Sequence, residues 1–314
     1  MPLAEDLWGY GKRFQFVDDC LVRRFGANRQ AVRILDVGCG TGKALAIPLA
    51  EIGYQVTGVD PHAESIRCAA ASAPLGTEFK CGMLSDLTPQ QFHAVIISEV
   101  LEHLDDPESL LRAGLSYMAD NGMMIITVPN GYGEFEIDSR LFHRLRLYVV
   151  RDAVHYVLGK LGRQKAPQIP GSFDTQGHIQ RFTLSRLRRI FACHGLRIIQ
   201  FRASVFVAGP LIGHTLGHFD NFIRFNARLA DWLPLWACSG WFFALERTGG
   251  ANGLTPQAPR SVDAIRGRRP DRVFVPRRMR ESISLDIARA IDDALHATPP
   301  QYLQKPHSEL NSRK

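Results

Sequence analysis

At 314 residues, with 45% hydrophobic and 22% charged side chains, the chain has the composition of a globular protein with a sizeable core, which excludes disorder throughout. Its length fits one large domain with additions better than several domains. The formal charge of +7 is unevenly placed: residues 248–314 carry 12 Lys+Arg against 7 Asp+Glu, net +5, so the body is nearly neutral and a nucleic-acid-binding body is not expected.

The six cysteines, Cys20, Cys39, Cys68, Cys81, Cys193 and Cys238, lie far apart without a C-x-x-C pair, and reduced, buried thiols are expected. The first residues, Met1 to Asp6, are acidic rather than an apolar leader, and no apolar run approaches the ~20 residues that cross a bilayer. The expectation is a cytoplasmic protein without a transmembrane helix.

The first strand is expected at Arg33–Val37, running straight into Gly38-Cys39-Gly40-Thr41-Gly42 and a helix. Further strands are expected at Gln55–Asp60, Glu78–Cys81, Ala94–Ser98, Met123–Val128, Leu196–Phe201 and Trp241–Glu246, several of them short β-branched or apolar runs. The first five alternate with helical patterns, which signals βαβ units and a doubly wound, largely parallel sheet.

Asp106 followed by Pro107 marks a helix start, with Leu110, Leu111 and Leu115 turned inward and Asn121-Gly122 as the stop. Thr183 is expected to cap a helix reaching about His194, with Phe182 and Leu187 placed as a hydrophobic staple. Two connections, 131–180 and 205–237, exceed ordinary loops and read as acceptor-side insertions. Within the first, Arg140, Arg144 and Arg151 share a helical face opposite Leu141, Leu145 and Val149, a pattern suited to an anionic membrane surface, a lid, or simple packing on the core. After Arg247, Gly, Pro, Arg and Asn dominate, so the domain is expected to end at residue 247 and residues 248–314 to form a basic, largely disordered tail.

The glycine loop carries the functional signal. Positive-φ glycines let a backbone turn lie against a ligand. The dinucleotide fingerprint G-x-G-x-x-G fails here, since its third glycine would be Lys43 or Leu45; the P-loop pattern fails because Val37 and Ala44 stand at required positions. The actual spacing is Asp36-x-Gly38-x-Gly40-x-Gly42, and the next strand ends eighteen residues after Gly42 in Asp60, a carboxylate suited to paired ribose hydroxyls.

This strand, loop and Asp60, together with Ser98-Glu99-Val100-Leu101-Glu102-His103 and Val128-Pro129-Asn130, resemble the class I S-adenosylmethionine-dependent methyltransferases over about Trp8 to Arg247. The similarity is greatest to the branch of ubiquinone-pathway O-methyltransferases and small-molecule methyltransferases. The resemblance implies a seven-stranded sheet whose last strand is antiparallel and S-adenosylmethionine as cofactor. It implies contacts from Asp36, Gly38 and Gly40 to the methionine moiety, with Gly42 completing the loop, and from Asp60 to the ribose. Adenine contacts would follow the third strand at Met83 and Leu84; Met83 stands where relatives often have an acid, which brings in a backbone carbonyl or Asp86 instead. His93 departs from the usual Phe-Asp and reads as a strand cap.

Methyl transfer needs in-line alignment and, for a hydroxyl acceptor, a proton acceptor. Glu99, Glu102 and His103, at i, i+3 and i+4, would project from one helical turn beside the expected methyl group. His103 can then serve as general base; the trio can hold a divalent metal, as the resemblance suggests; or Glu99 lines the cofactor pocket while Glu102-His103 opens a helix. His178, just before the Thr183 cap, is a second base candidate, and Asn130-Gly131-Tyr132-Gly133 follows the fifth strand at the ligand edge. The missing Asn/Asp-Pro-Pro-Tyr/Phe arrangement, and a tail whose aromatics are Phe274 and Tyr302 alone, argue against a nucleic-acid substrate.

The leading expectation is methylation of a small or lipid-linked acceptor, at oxygen by resemblance, with peripheral contact at the inner membrane surface as one consequence of the insertions. Sugar methylation in polysaccharide or glycolipid synthesis is the enzymatic alternative, and a degenerate scaffold with a basic interaction tail the non-enzymatic one.

Overall fold

The computed structural model describes residues 5–134, 138, 144, 145, 178–209 and 219–249. The chain divides into two units, Met1–Leu254 and Thr255–Lys314, and every described residue belongs to the first. Most of the 138–161 face and residues 250–314 of the tail lie outside the described residues.

Seven strands form one sheet: β1 (Arg33–Val37), β2 (Gln55–Asp60), β3 (Glu78–Cys81), β4 (Phe92–Ser98), β5 (Met118–Pro129), β6 (Leu196–Ala203) and β7 (Gly240–Arg247). Their order is β3-β2-β1-β4-β5-β7-β6. Strands β1 to β5 pair in parallel, and β7 lies antiparallel between β5 and β6. Each expected strand is present, the first three with the expected ends. Chain order reverses between β1 and β4, and it is at the carboxyl ends of such neighbours that open α/β sheets leave a crevice for ligands.

Alternation along the strands distributes the core to both faces. Ile34, Val56, Ile96 and Ile125 point to one side, where they join Phe14, Val17 and Leu21 of helix α1 (Tyr10–Phe25) and residues of α2 (Ala46–Glu51) and α3 (Ala63–Ala71). Leu35, Val95, Ile97 and Met124 point to the other, with Leu111 of α4 (Pro107–Tyr117) and Leu187 and Phe191 of α5 (Leu184–Cys193). A sixth helix, α6 (Asp220–Leu229), sits within the second insertion. No helix among the described residues is long and apolar enough to cross a membrane.

The caps form as the side chains predict. Asp106 accepts the Ser109 amide at 3.0 Å and Thr183 the Arg186 amide at 3.2 Å. Phe182 and Leu187 are buried in one cluster. His93 Nδ1 accepts the amide of Arg33 at 3.0 Å, closing the start of β1.

Two expectations are corrected. Helix α4 stops at Tyr117, ahead of Asn121-Gly122, because Met118 is drawn into β5 opposite Phe92, while the Tyr117 hydroxyl donates to the carbonyls of Leu84 and Leu87. Pairing with β4 overrides the local stop. The thiols are all free, but only Cys20, Cys39 and Cys238 are buried; Cys81, on edge strand β3, and Cys193 are exposed.

Candidate active site

Beyond Val37 the chain turns through Gly38, Gly40 and Gly42 at φ 71°, 55° and 72°. At Gly38 a Cβ would lie 2.4 Å from Val100 Cγ2, so a larger residue would collide with the chain leaving β4. The amides of Gly38 and Cys39 donate to the Val59 carbonyl at 2.8 and 3.2 Å, stitching the loop to β2. Asp60 completes the stitch: its Oδ2 accepts the Gly40 amide at 2.9 Å and its Oδ1 the His62 amide at 2.8 Å. Asp36 is buried at the end of β1, where burial, reinforced by Asp60, pushes its carboxyl up to about 7; Arg13 and the Ala46 amide oppose the shift. Two carboxylates around a close-approaching glycine backbone suit a ligand that combines an ammonium group with a ribose diol.

A cavity of about 310 Å³ opens beside this loop, between the carboxyl ends of β1, β4, β5 and β6 and the start of β7. Gly38, Gly40, Glu99, Glu102, His103 and His178 all line it. A second hollow of about 670 Å³, lined by Leu115, His194 and Arg247 at the opposite end of the sheet, contains none of the candidate residues. Chemistry favours the smaller one.

Glu99 takes φ 56°, the one positive φ outside glycine among the described residues. Its amide donates to the Thr127 carbonyl at 2.9 Å, Thr127 Oγ1 donates to its Oε1 at 2.7 Å, and Arg13 Nη2 lies 3.5 Å from that oxygen. These bonds hold Glu99 in an uncommon backbone state, as is frequent where a site over-determines its residues.

Glu99 therefore does not share a helical turn with Glu102 and His103, which lie on the separate 3-10 turn Leu101–His103. The partner that joins them is His178. The amides of Ile179 and Gln180 both donate to the Glu102 carbonyl at 2.8 Å, clamping this strap onto the turn, and the His103 and His178 rings meet edge to face at 5.1 Å. Donor atoms of Glu102, His103 and His178 lie within 4.8 Å of one another, a grouping that takes in His178 and leaves out Glu99. The Glu102 side chain is 1% exposed, and neither carboxyl oxygen has a hydrogen-bond partner among the described residues. Burial, with Glu99 adding, raises its carboxyl well above the usual range.

Met83 is exposed, whereas Leu84 turns its side chain into the core and Asp86 Oδ2 accepts the Met83 amide at 2.7 Å. Asn130 is a bracket rather than a cavity wall: its Nδ2 donates to the carbonyls of Trp236 and Cys238, both at 2.9 Å. Sequence reading missed Trp8, Tyr10 and Arg13, which reach the cavity from the start of α1. The Arg13 guanidinium is buried, donating to Ser98 Oγ at 3.2 Å. No spacing within 8–13 announces this, because that burial is created by strands far along the chain.

A family model described as "Methyltransferase domain" matches residues 10–201, more than half of the chain. This chain belongs to that family. It is a class I S-adenosylmethionine-dependent methyltransferase by family, and the glycine loop fits that cofactor. Among curated proteins, the ubiquinone biosynthesis O-methyltransferase of Rhodopseudomonas palustris is 32% identical over 128 residues, covering 38% of this chain and 50% of that protein. The protein of the same name from Azorhizobium caulinodans is 36% identical over 129 residues, covering 38% and 51%. The chain thus spans about half the length of the curated relatives it matches. Among solved structures, the Synechocystis magnesium protoporphyrin IX methyltransferase with bound SAH aligns at 16% identity over 76% of this chain and 86% of that one, TM-score 0.45.

Proposed function

We propose that this chain transfers the methyl group of S-adenosylmethionine to an oxygen of a small or lipid-linked acceptor, with His103 and His178 as the proton-accepting pair. The observation that carries the reading is the convergence of these imidazoles and the buried Glu102 on the cavity that the glycine loop also lines. The cofactor supplies a methyl group on a positively charged sulfur, already electrophilic, so the protein's task is alignment and proton removal.

Gly38 and Gly40 would admit the cofactor to the backbone, Asp60 would accept from its ribose hydroxyls and Asp36 would face its ammonium group. Arg13, buried beside Glu99, offers a cation to the carboxylate end. An acceptor hydroxyl held against His103 or His178 would give its proton to that imidazole, leaving its oxygen to take the methyl group as the carbon–sulfur bond breaks and the thioether departs. Glu102, with Oε1 3.9 Å from His103 Nε2, would stabilise the imidazolium once its own raised carboxyl is ionised.

A second reading rests on the same cluster, since a carboxylate with two imidazoles is a donor set for zinc or a related divalent cation, which would polarise the acceptor hydroxyl. Elemental analysis of purified protein, with turnover measured before and after chelation, separates the two.

Calorimetric titration with S-adenosylmethionine and S-adenosylhomocysteine, followed by a screen of quinol, phenol and glycolipid acceptors, tests the main reading. Micromolar binding that Asp60→Ala weakens is the expected result. Absence of binding to either ligand overturns it and brings forward the degenerate-scaffold alternative.

A further inference from the structure

The tryptophans are placed unusually. Of the four in the sequence, Trp241 alone is buried, at 2% exposure, while Trp8 (52%), Trp232 (57%) and Trp236 (74%) stand in solvent, as do Tyr132 (64%) and Ile179 (52%). A run of contacts links the segments that carry these five. Gly131, next to Tyr132, packs on Arg181 and Phe182 in the strap that carries Ile179. Asn130 accepts the Tyr132 amide and donates to the Trp236 carbonyl. Asp231, next to Trp232, pairs at 2.7 Å with Lys12, whose helix begins two residues after Trp8. Trp8 itself lines the mouth of the cavity.

Large amphipathic rings left in water at this density mark an interaction surface, and tryptophan and tyrosine with a basic neighbour suit the boundary between lipid headgroups and acyl chains. The basic neighbour is present. Arg181 on the strap, and Arg186, which bonds back to the strap at Arg181 and Gln180, are both exposed. Neither pairs with a carboxylate among the described residues; Arg186 lies over the Phe182 ring. We propose that the rim of Trp8, Tyr132, Ile179, Trp232 and Trp236 docks the protein on an anionic lipid bilayer, with the cavity facing the membrane. The observation is independent of methyl transfer and of the basic face expected within 138–161.

The test is co-sedimentation of the full chain with vesicles of phosphatidylcholine, with and without phosphatidylglycerol, and with brominated lipid as a quencher of tryptophan emission. Binding to the anionic vesicles is expected, weakening with salt, with quenching of the rim tryptophans and survival of the Trp241 signal. Trp232→Ser with Trp236→Ser should lower binding about tenfold or more, with unchanged melting and unchanged S-adenosylhomocysteine binding. Sedimentation without quenching, or undiminished in the double variant, overturns the proposal, since the tail alone would then explain it. So does a lipid-free dimer whose tryptophans are already shielded, which would make the rim a contact between copies. Loss of S-adenosylhomocysteine binding by the unaltered chain would count against the cofactor reading and leave this result standing.

Discussion

The two ends of the cavity are built in different ways. The side proposed for the cofactor is lined by Gly38, Cys39 and Gly40 from the loop after β1, whose shape is set by spacing and by bonds to near neighbours along the chain, those to Val59 and Asp60 included. The side proposed for the acceptor is assembled from the start of α1, the 101–103 turn, the 178–180 strap and the mouths of β6 and β7, residues separated by up to about 230 positions. Local construction makes the first side legible in the sequence; long-range construction hides the second.

The largest test of that contrast is His103→Ala combined with His178→Ala. Turnover of whichever acceptor the screen finds should fall by about 10²–10⁴-fold, the usual worth of general-base catalysis, while S-adenosylhomocysteine affinity stays within about twofold by calorimetry. An equal fall in affinity would mean that the two ends are not separable. From the other side, Asp60→Ala should weaken cofactor binding by about 1–3 kcal/mol, the cost of lost charge-assisted hydrogen bonds; unchanged affinity removes its ribose role.

A smaller effect comes from pH. Asp36 is pushed up to about 7 in the folded chain from an ordinary value of 3.8, so it gains charge as pH rises through neutrality. If it faces the cofactor's ammonium group, affinity should rise about tenfold between pH 6 and 8 and flatten in Asp36→Asn. The same shift costs stability in the opposite sense. Below pH 3.8 both folded and unfolded chains hold the proton; between there and 7 the unfolded chain loses it first, so stability falls with rising pH. Melting curves of Asp36→Asn should lack that component. The smallest effect belongs to His93→Ala, which removes one amide acceptor at the edge of β1: about 1 kcal/mol of stability, and no change in cofactor affinity.

The fold was legible because several strands are short β-branched or apolar runs and the first five alternate with helices. The Asn121-Gly122 stop failed where pairing with β4 was stronger than the local signal. At the site, Gly38, Gly40 and Asp60 follow from spacing, and their bonds stay within 22 residues of sequence. Glu99 was misplaced because its i, i+3, i+4 relation to Glu102 and His103 presumes a helix, whereas Thr127 and Arg13 hold it in a left-handed backbone state. His178 could be named as a candidate but not as a companion of His103, since the clamp is a backbone contact to the Glu102 carbonyl that carries no side-chain signature. Arg13 had no signal at all.

Asp60 has a consequence for how this sequence can change over time. Its two oxygens already hold the amides of Gly40 and His62, so the residue that would read the ribose also fixes the shape of the loop. A substitution there would loosen the loop whether or not the carboxylate meets a ribose, so the presence of Asp60 reports on the fold, and only a binding measurement reports on its use.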